Sequence, residues 1–474
     1  VFKENKDSLL SLIRLGKPMT LKQQLHLTIQ LSTPAILAQL SATIMQYIDA
    51  SMVGSLGANQ SASIGIVETT IWLLGGVCSA AMTGFYVQVA HLIGGDRKEE
   101  AKNVLRQGLI SALVFGLCIS LIGVSISPFL PGWLGANEEI AADASSYFRI
   151  FTLCIPFLIF EILGAGMLRS SGNILVPSLL NVLMCTLDVI FNFFLIFPSQ
   201  TVNILNLNVF MPGAGLSVTG AALGTALAEI VTAVLMLYFL CFRSKDLKIV
   251  HEKGHFLPTA DTLKKAIRIS IPMGIQHIVM CTAYITTTII VAPLGAVAIA
   301  ANSFGIVVES LCYMPGYGIA DAATTLVGQS AGAGRKDLMK RFAGISIIMG
   351  MVVMTFMGFI MYMSAPLMMS IMTPVQEIRD LGVMALRIEA FAEPMFAAAI
   401  VSYGVCVGAG DTLIPSGMNF FSMWAVRITL AATLAPSLGL KGVWIAMCTE
   451  LCFRGAIFLI RMKTGKWMNK VGKL

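Results

Sequence analysis

Residues 43–57 read TIMQYIDASMVGSLG, an apolar run that carries one carboxylate, Asp49, and closes on an uncharged, glycine-punctuated turn. Upstream the apolar pattern reaches back to about Leu25. A carboxylate surrounded by hydrocarbon is costly, so an ionisable residue in such a run faces a polar interior and marks a functional site. The fold has to supply that interior.

Composition identifies the solvent. Of the 474 residues, 56% are hydrophobic and 12% charged, where ordinary soluble domains carry about 25% charged residues. Apolar runs long enough to cross a bilayer as helices recur along the chain. Gly, Pro and charged breaks delimit twelve of them: near 24–53, 62–92, 103–126, 141–168, 174–197 and 218–242, then near 263–293, 298–328, 341–363, 380–404, 413–435 and 442–462. The expectation is an all-α polytopic membrane protein. No cleavable signal peptide is expected, because the first apolar run is too long and contains Asp49. The ten cysteines stand singly, most of them in apolar runs and none in a CxxC or Cys/His cluster, and read as small hydrophobes.

A net charge of +7 would suggest a nucleic-acid partner in a soluble chain, but its placement says otherwise. The N-terminal segment, the 2–3 loop (GGDRKEEAKNVLRQ), Arg169, the 6–7 loop, the 8–9 loop (GAGRKDLMKR) and the C-terminal tail hold 26 of the 32 Lys and Arg. Alternate loops are nearly free of them. This is a positive-inside pattern and places both termini in the cytoplasm.

The two halves echo each other. Shifted by 238 residues, Pro34 meets Pro272, Leu56-Gly57 meets Leu294-Gly295, Arg97-Lys98 meets Arg335-Lys336, Pro156 meets Pro394 and Asn181 meets Asn419, without a gap. A longer 5–6 loop in the first half then shifts the register, and Gly220 aligns with Gly442. Six spans per half is an even number, so the lobes share one orientation. That predicts a pseudo-twofold axis along the membrane normal and a central cavity between lobes. The expected domains are a six-helix lobe over 1–242, a linker over 243–262 and a second six-helix lobe over 263–474.

The repeat separates framework from function. Matched positions are mostly Gly, Pro, Arg and small apolar residues, whereas Asp49 faces Thr287, Asp188 faces Val426, Glu161 faces Ala399 and Glu309 faces Ile71. Carboxylates present in one lobe only point to a task performed by that lobe. Asp188 lies in NVLMCTLDVIFNFFLIF, with Asn192 one helical turn later on the same face. A carboxyl in apolar surroundings can alternately hold and release a proton. With oxygens from Asn192 and the hydroxyl of Thr225 it could instead coordinate sodium. Glu309, Asp321, Glu389, Glu393 and His277 are candidates for the wall of the central cavity. Glu389 and Glu393 also stand near Arg387, which would allow a local ion pair, and Glu68 and Glu161 are weaker candidates. Arg149 and Arg387 are repeat-matched and read as framework. The methionine-dense ninth span reads as packing.

The chain resembles the multidrug and toxic compound extrusion (MATE) transporter family along its whole length. The resemblance is carried by IDASMVGSLGANQSAS and its echo VAPLGAVAIAANS, by VGQSAGAGRKD with its counterpart AHLIGGDRKEEA, and by VTGAALGTALAE opening the sixth span. It implies a cation site in the N-terminal lobe built from an Asp on helix 1, an Asn/Asp pair one turn apart on helix 5 and a Thr on helix 6. The matching positions are Asp49, Asp188 with Asn192, and Thr225, with the helix-5 order reversed. Another branch places its acids on helices 7 and 10, where Met280 and Phe396 stand here.

The function expected from these readings is a secondary antiporter in the plasma membrane, the inner membrane of a bacterium. Influx of H+ or Na+ would drive export of a bulky organic molecule by alternating access. No cofactor and no structural metal are expected, and the chain is expected to be a transporter rather than an enzyme: it lacks the nucleotide-binding loop GxxxxGK[ST]. The expected partners are a small-molecule organic substrate and membrane lipid, without nucleic acid, and the chain is expected to act as a monomer. The competing reading is a flippase for lipid-linked saccharides, which would line its cavity with several arginines; Arg427 and Arg454 lie inside late spans. A ligand-sensing receptor fits the duplicated plan less well.

Overall fold

In hydrocarbon a chain must satisfy its own backbone polar groups, and helices do so within one segment. The computed structural model describes residues 6–204, 207–250 and 254–470 and builds these runs as helices. A short helix α1 (Lys6–Arg14) precedes α2 (Leu21–Gly54), α3 (Ala58–Gly94) and α4 (Lys98–Ile126). A single turn α5 (Leu130–Trp133) leads to α6 (Glu138–Ser170) and α7 (Leu175–Ile196). A hairpin of β1 (Pro198–Ile204) and β2 (Leu207–Ala214) precedes α8 (Ser217–Tyr238). The second half runs through α9 (Ala260–Val291), α10 (Ala296–Gly332), α11 (Lys336–Met372), α12 (Gln376–Glu389), α13 (Glu393–Gly408), α14 (Leu413–Phe421), α15 (Thr429–Leu438) and α16 (Leu440–Thr464). A π-helical segment, Ser422–Ile428, joins α14 to α15, so those three pieces form one long helix.

Among the described residues eleven helices are long and apolar enough to cross a membrane, and twelve if the bent pair α12–α13 counts as one span. All twelve spans read from the sequence are present, in two lobes of six. Their alternation puts both chain ends on one side, called here the terminal face. The basic residues at the extreme termini and at 251–253 lie outside the described residues. Two features of the chain were not anticipated: the 5–6 loop forms an antiparallel hairpin, and α1 buries Leu9, Leu10 and Ile13 against Ile319, Phe342 and Trp467 of the second lobe.

The tenth span corrects an expectation of one continuous helix. It bends by 60° between Glu389 and Glu393. Pro394 lacks the N–H that would bond the carbonyl of Ala390, and Ala392 N closes a tight turn onto Glu389 O at 2.8 Å. The repeat partner Pro156 sits inside the unbroken α6, so proline alone does not impose the break.

Turn chemistry explains why glycines dominate the repeat. Gly57 and Gly295 open α3 and α10 with φ of 137° and 100°, and Gly172 and Gly410 take 92° and 78°. These left-handed values favour a residue without a Cβ. Asp96 holds φ of 56° where its counterpart is Gly334 at 69°; a short polar side chain tolerates that region.

The lobes meet through α2 against α10 and through α3 against α9 and α10. Most inter-lobe hydrogen bonds lie in the halves of these helices nearest the terminal face. Gln88 Nε2 donates to Thr262 O at 3.2 Å, His91 Nε2 lies 2.7 Å from Gly408 O, and Gln329 Nε2 donates to Ser170 O at 2.8 Å. The crossing of α3 and α10 there is close because Gly94 packs on the Gln329 backbone and Gly332 on the His91 backbone. Nearer the other face, Tyr47 OH donates to Val307 O.

Candidate functional site

The polar interior that Asp49 requires is built where α2, α7 and α8 meet. Asp188 and Asn192 are one turn apart on α7, and both are almost completely buried, at 1% exposure. α8 comes close to α7 because it presents glycine: a methyl at Gly220 would strike the Leu195 carbonyl, and one at Gly224 would strike Asn192. That approach turns Asn192 towards α2. Its Nδ2 donates to Asp49 Oδ1 at 3.0 Å and to Asp188 Oδ2 at 3.1 Å. The Thr225 side chain on α8 reaches Asp188. The four residues singled out on three separate helices therefore come together.

The arrangement is short of donors. One amide serves two carboxyls, while Asp188 Oδ1 and Asn192 Oδ1 are buried without a hydrogen-bond partner. Two carboxylates this close, out of water, repel each other, and a proton or small cation relieves that repulsion. Glu229 extends the site one turn along α8 from Thr225, with its Oε1 also buried and unpartnered. It faces Glu161 on α6, and Tyr147 borders both aspartates. Glu229 was missed by sequence reading; its signal was the i, i+4 spacing from Thr225.

In the second lobe, Glu309, Glu389 and Glu393 gather, and Glu309 lines a small cavity with Thr287, Asn302 and Arg427. All three are buried, and both carboxyl oxygens of Glu389 and of Glu393 lack a hydrogen-bond partner. The ion pair with Arg387 does not form: that guanidinium lies over the Tyr362 ring, 5.2 Å from its centroid. Beside them Glu450 is held between two arginines. Arg427 Nη2 lies 2.8 Å from Glu450 Oε2 and Arg454 Nη2 lies 2.7 Å from Glu450 Oε1. Glu450 was not anticipated.

Two further candidates sit elsewhere. Asp321 does not join the second-lobe acids; it pairs across the lobes with Arg169 at 3.4 Å, towards the terminal face. His277 lies in the seam of α3 and α9, hydrogen-bonded to the Trp72 backbone with its ring against Gly76. Neither reaches Glu309. Arg149 Nε donates to Ser127 Oγ at 3.2 Å.

Comparison with known proteins adds an independent view. The MatE family model matches twice, over residues 34–194 and 272–433, so its two starts are offset like the sequence repeat. A protein of Thermotoga maritima described as probable multidrug resistance protein NorM is 26% identical over 451 residues, covering 93% of each chain. A protein of Streptococcus pneumoniae with the same description is 26% identical and covers 94% of this chain and 96% of its own. Among solved structures, one described as the outward-facing conformation of a multidrug resistance MATE family transporter of the MOP superfamily superposes with a TM-score of 0.86 at 21% identity. It covers 98% of this chain and 100% of its own.

Proposed function

The chain belongs to the MatE family, and on that premise we propose that it is a secondary antiporter exporting bulky organic molecules, coupled to H+ or Na+ at Asp49, Asp188, Asn192 and Thr225. The observation that carries the reading is the single amide of Asn192 bridging two carboxyls from different helices, with neighbouring oxygens left unpartnered. A cation arriving there replaces repulsion with attraction and pulls α2 towards α7. Since α2 also packs on α10 of the other lobe, its position bears on how the lobes meet. A cation that binds one arrangement better than the other shifts the balance between them.

The relatives' descriptions as multidrug resistance proteins support an organic substrate. The inter-lobe bonds near the terminal face, proposed here as cytoplasmic, favour an arrangement open to the other side. Arg427 and Arg454 are both committed to Glu450, which removes the arginines that a lipid-linked pyrophosphate would need. One charge moving through 100 mV supplies about 2.3 kcal/mol, enough for roughly 50-fold accumulation.

The test is efflux of ethidium, a fluorescent organic cation, from reconstituted vesicles under an imposed pH or sodium gradient. Efflux driven by one gradient and lost in Asp49→Asn and Asp188→Asn supports the reading. Gradient-driven efflux that survives in both variants overturns the site.

A further inference from the structure

At the terminal face the segment leading into each lobe is docked on the other lobe. Leu9, Leu10 and Ile13 of α1 precede the spanning helices of the first lobe, yet they are buried in a cluster with Leu326 of α10 and Leu338 and Phe342 of α11. Leu27 and Leu31, at the start of α2, join the same cluster. Residues 244–250 precede the second lobe, yet Leu247 and Ile249 are buried in a cluster with Ile93 of α3 and Val104 and Leu105 of α4. Ala266, near the start of α9, joins them. The sequence repeat relates the two segments: shifted by 238, Leu9 falls on Leu247 and Ser11 on Ile249.

Polar anchors reinforce both dockings. Arg335, in the turn before α11, donates to Lys17 O at 2.6 Å and to Leu12 O at 3.4 Å. In the first lobe, Lys98 Nζ at the start of α4 lies 2.9 Å from Asp246 Oδ1, and Gln107 Oε1 accepts from the Thr259 amide at 3.2 Å. Arg335 and Lys98 belong to the repeat-matched Arg-Lys pairs. Apolar burial therefore fixes α1 and the start of α2 to the second lobe, and residues 244–250 with the start of α9 to the first. What joins the two exchanged segments is small and polar. Arg14 Nη1 lies 2.9 Å from Asp246 Oδ2, and Arg14 Nη2 donates to Ser171 O at 3.2 Å. Leu10 lies over Gly172, where a methyl would overlap it. When the lobes part at this face, the apolar dockings stay with their lobes and the Arg14 bonds break.

We propose that Arg14 and Asp246 latch the exchanged segments together, holding the terminal face shut, and that the latch opens each time that face admits substrate. Because α1 leads directly into α2, the helix that carries Asp49, the latch also ties the far end of that helix to the meeting of the lobes. Its part in transport rests on the antiporter reading; its opening and closing do not.

Spin-label distances on the lipid-embedded full chain test the latch. Labels at Glu99 on α4 and Lys340 on α11 report the gap between lobes, and a label at Leu15 paired with each reports which lobe α1 follows; all three residues are exposed. The expected result is a second, longer Glu99–Lys340 distance whose population rises about two- to fivefold in Arg14→Ala and in Asp246→Asn, with Arg14→Lys near the parent. The double variant should match Arg14→Ala, which already lacks the bond to Asp246. Leu15–Glu99 should lengthen in step while Leu15–Lys340 stays constant. Lys98→Met breaks a bond within one half and should leave the populations as in the parent. Unchanged populations in Arg14→Ala and Asp246→Asn overturn the proposal, as do additive effects in the double variant, a Lys98→Met effect as large as that of Arg14→Ala, or a Leu15 label that follows the first lobe. Ethidium efflux separates the two readings: a parent that moves no ethidium sinks the antiporter, while the distances still decide the latch.

Discussion

Arg169 of the first lobe and Asp321 of the second stand 3.4 Å apart, joining the lobes near the face that carries both chain termini. The pair is partly exposed, at 28% and 34%, so its contribution is modest, about 0.2–1 kcal/mol. A lobe-to-lobe equilibrium responds to amounts of that size. Asp321→Asn is expected to raise the population open at the terminal face by up to about fivefold. Spin-label distances between α6 and α10 check this. An unchanged distance distribution would remove the pair from the gate.

At the N-terminal site, the bridging amide separates geometry from charge. Asn192→Leu removes the donor that Asp49 and Asp188 share while keeping similar volume. Gradient-driven ethidium efflux should fall at least about tenfold, a loss of roughly 1.4 kcal/mol in coupling, with ethidium binding retained. Equal loss of binding and efflux would point to a collapsed site instead.

Gly224 is needed for the close approach of α8 to α7. A methyl there overlaps Asn192, so Gly224→Ala should displace the amide and cost about 1–3 kcal/mol. Thermal unfolding in detergent reads the cost directly. A variant with parental stability and efflux would show that α8 can retreat freely.

Glu450 pairs with two buried guanidinium groups, Arg427 and Arg454. Glu450→Ala leaves both uncompensated and is expected to destabilise by about 3–5 kcal/mol, with Glu450→Gln less damaging because it still accepts hydrogen bonds. A thermal shift no larger than that of a surface substitution would contradict this account.

Outside the membrane helices, Asp246 ties α1 to the body of the protein. Its oxygens lie 2.9 Å from Arg14 Nη1 and 2.9 Å from Lys98 Nζ. Burial pushes its carboxyl up, but the two cations outweigh burial and hold it below the ordinary value of 3.8. The folded form thus prefers the anion. The contribution is present above the ordinary value and is lost as pH falls through the lowered one. Protease cleavage near α1 should rise on strong acidification, and at neutral pH in Asp246→Asn.

The sequence determined the architecture because the bilayer leaves few choices. Length, hydropathy and the satisfaction of backbone groups make twelve helices out of twelve apolar runs, and a gapless register of glycines and prolines makes two lobes. The first cluster was legible for a similar reason: a carboxylate in hydrocarbon is conspicuous wherever it stands, so Asp49 and Asp188 stood out as candidates without a structure. Tertiary structure alone decided which charges meet. Asp321 and Glu389 look alike in sequence, yet one pairs across the lobe interface and the other is sealed inside a lobe. Pro156 and Pro394 occupy matched positions, yet only the second accompanies a break. Sequence period fixes the face on which a residue lies. What that face touches depends on helix packing, which for Glu229 and Asp321 brings up Glu161 and Arg169 from far away in the chain.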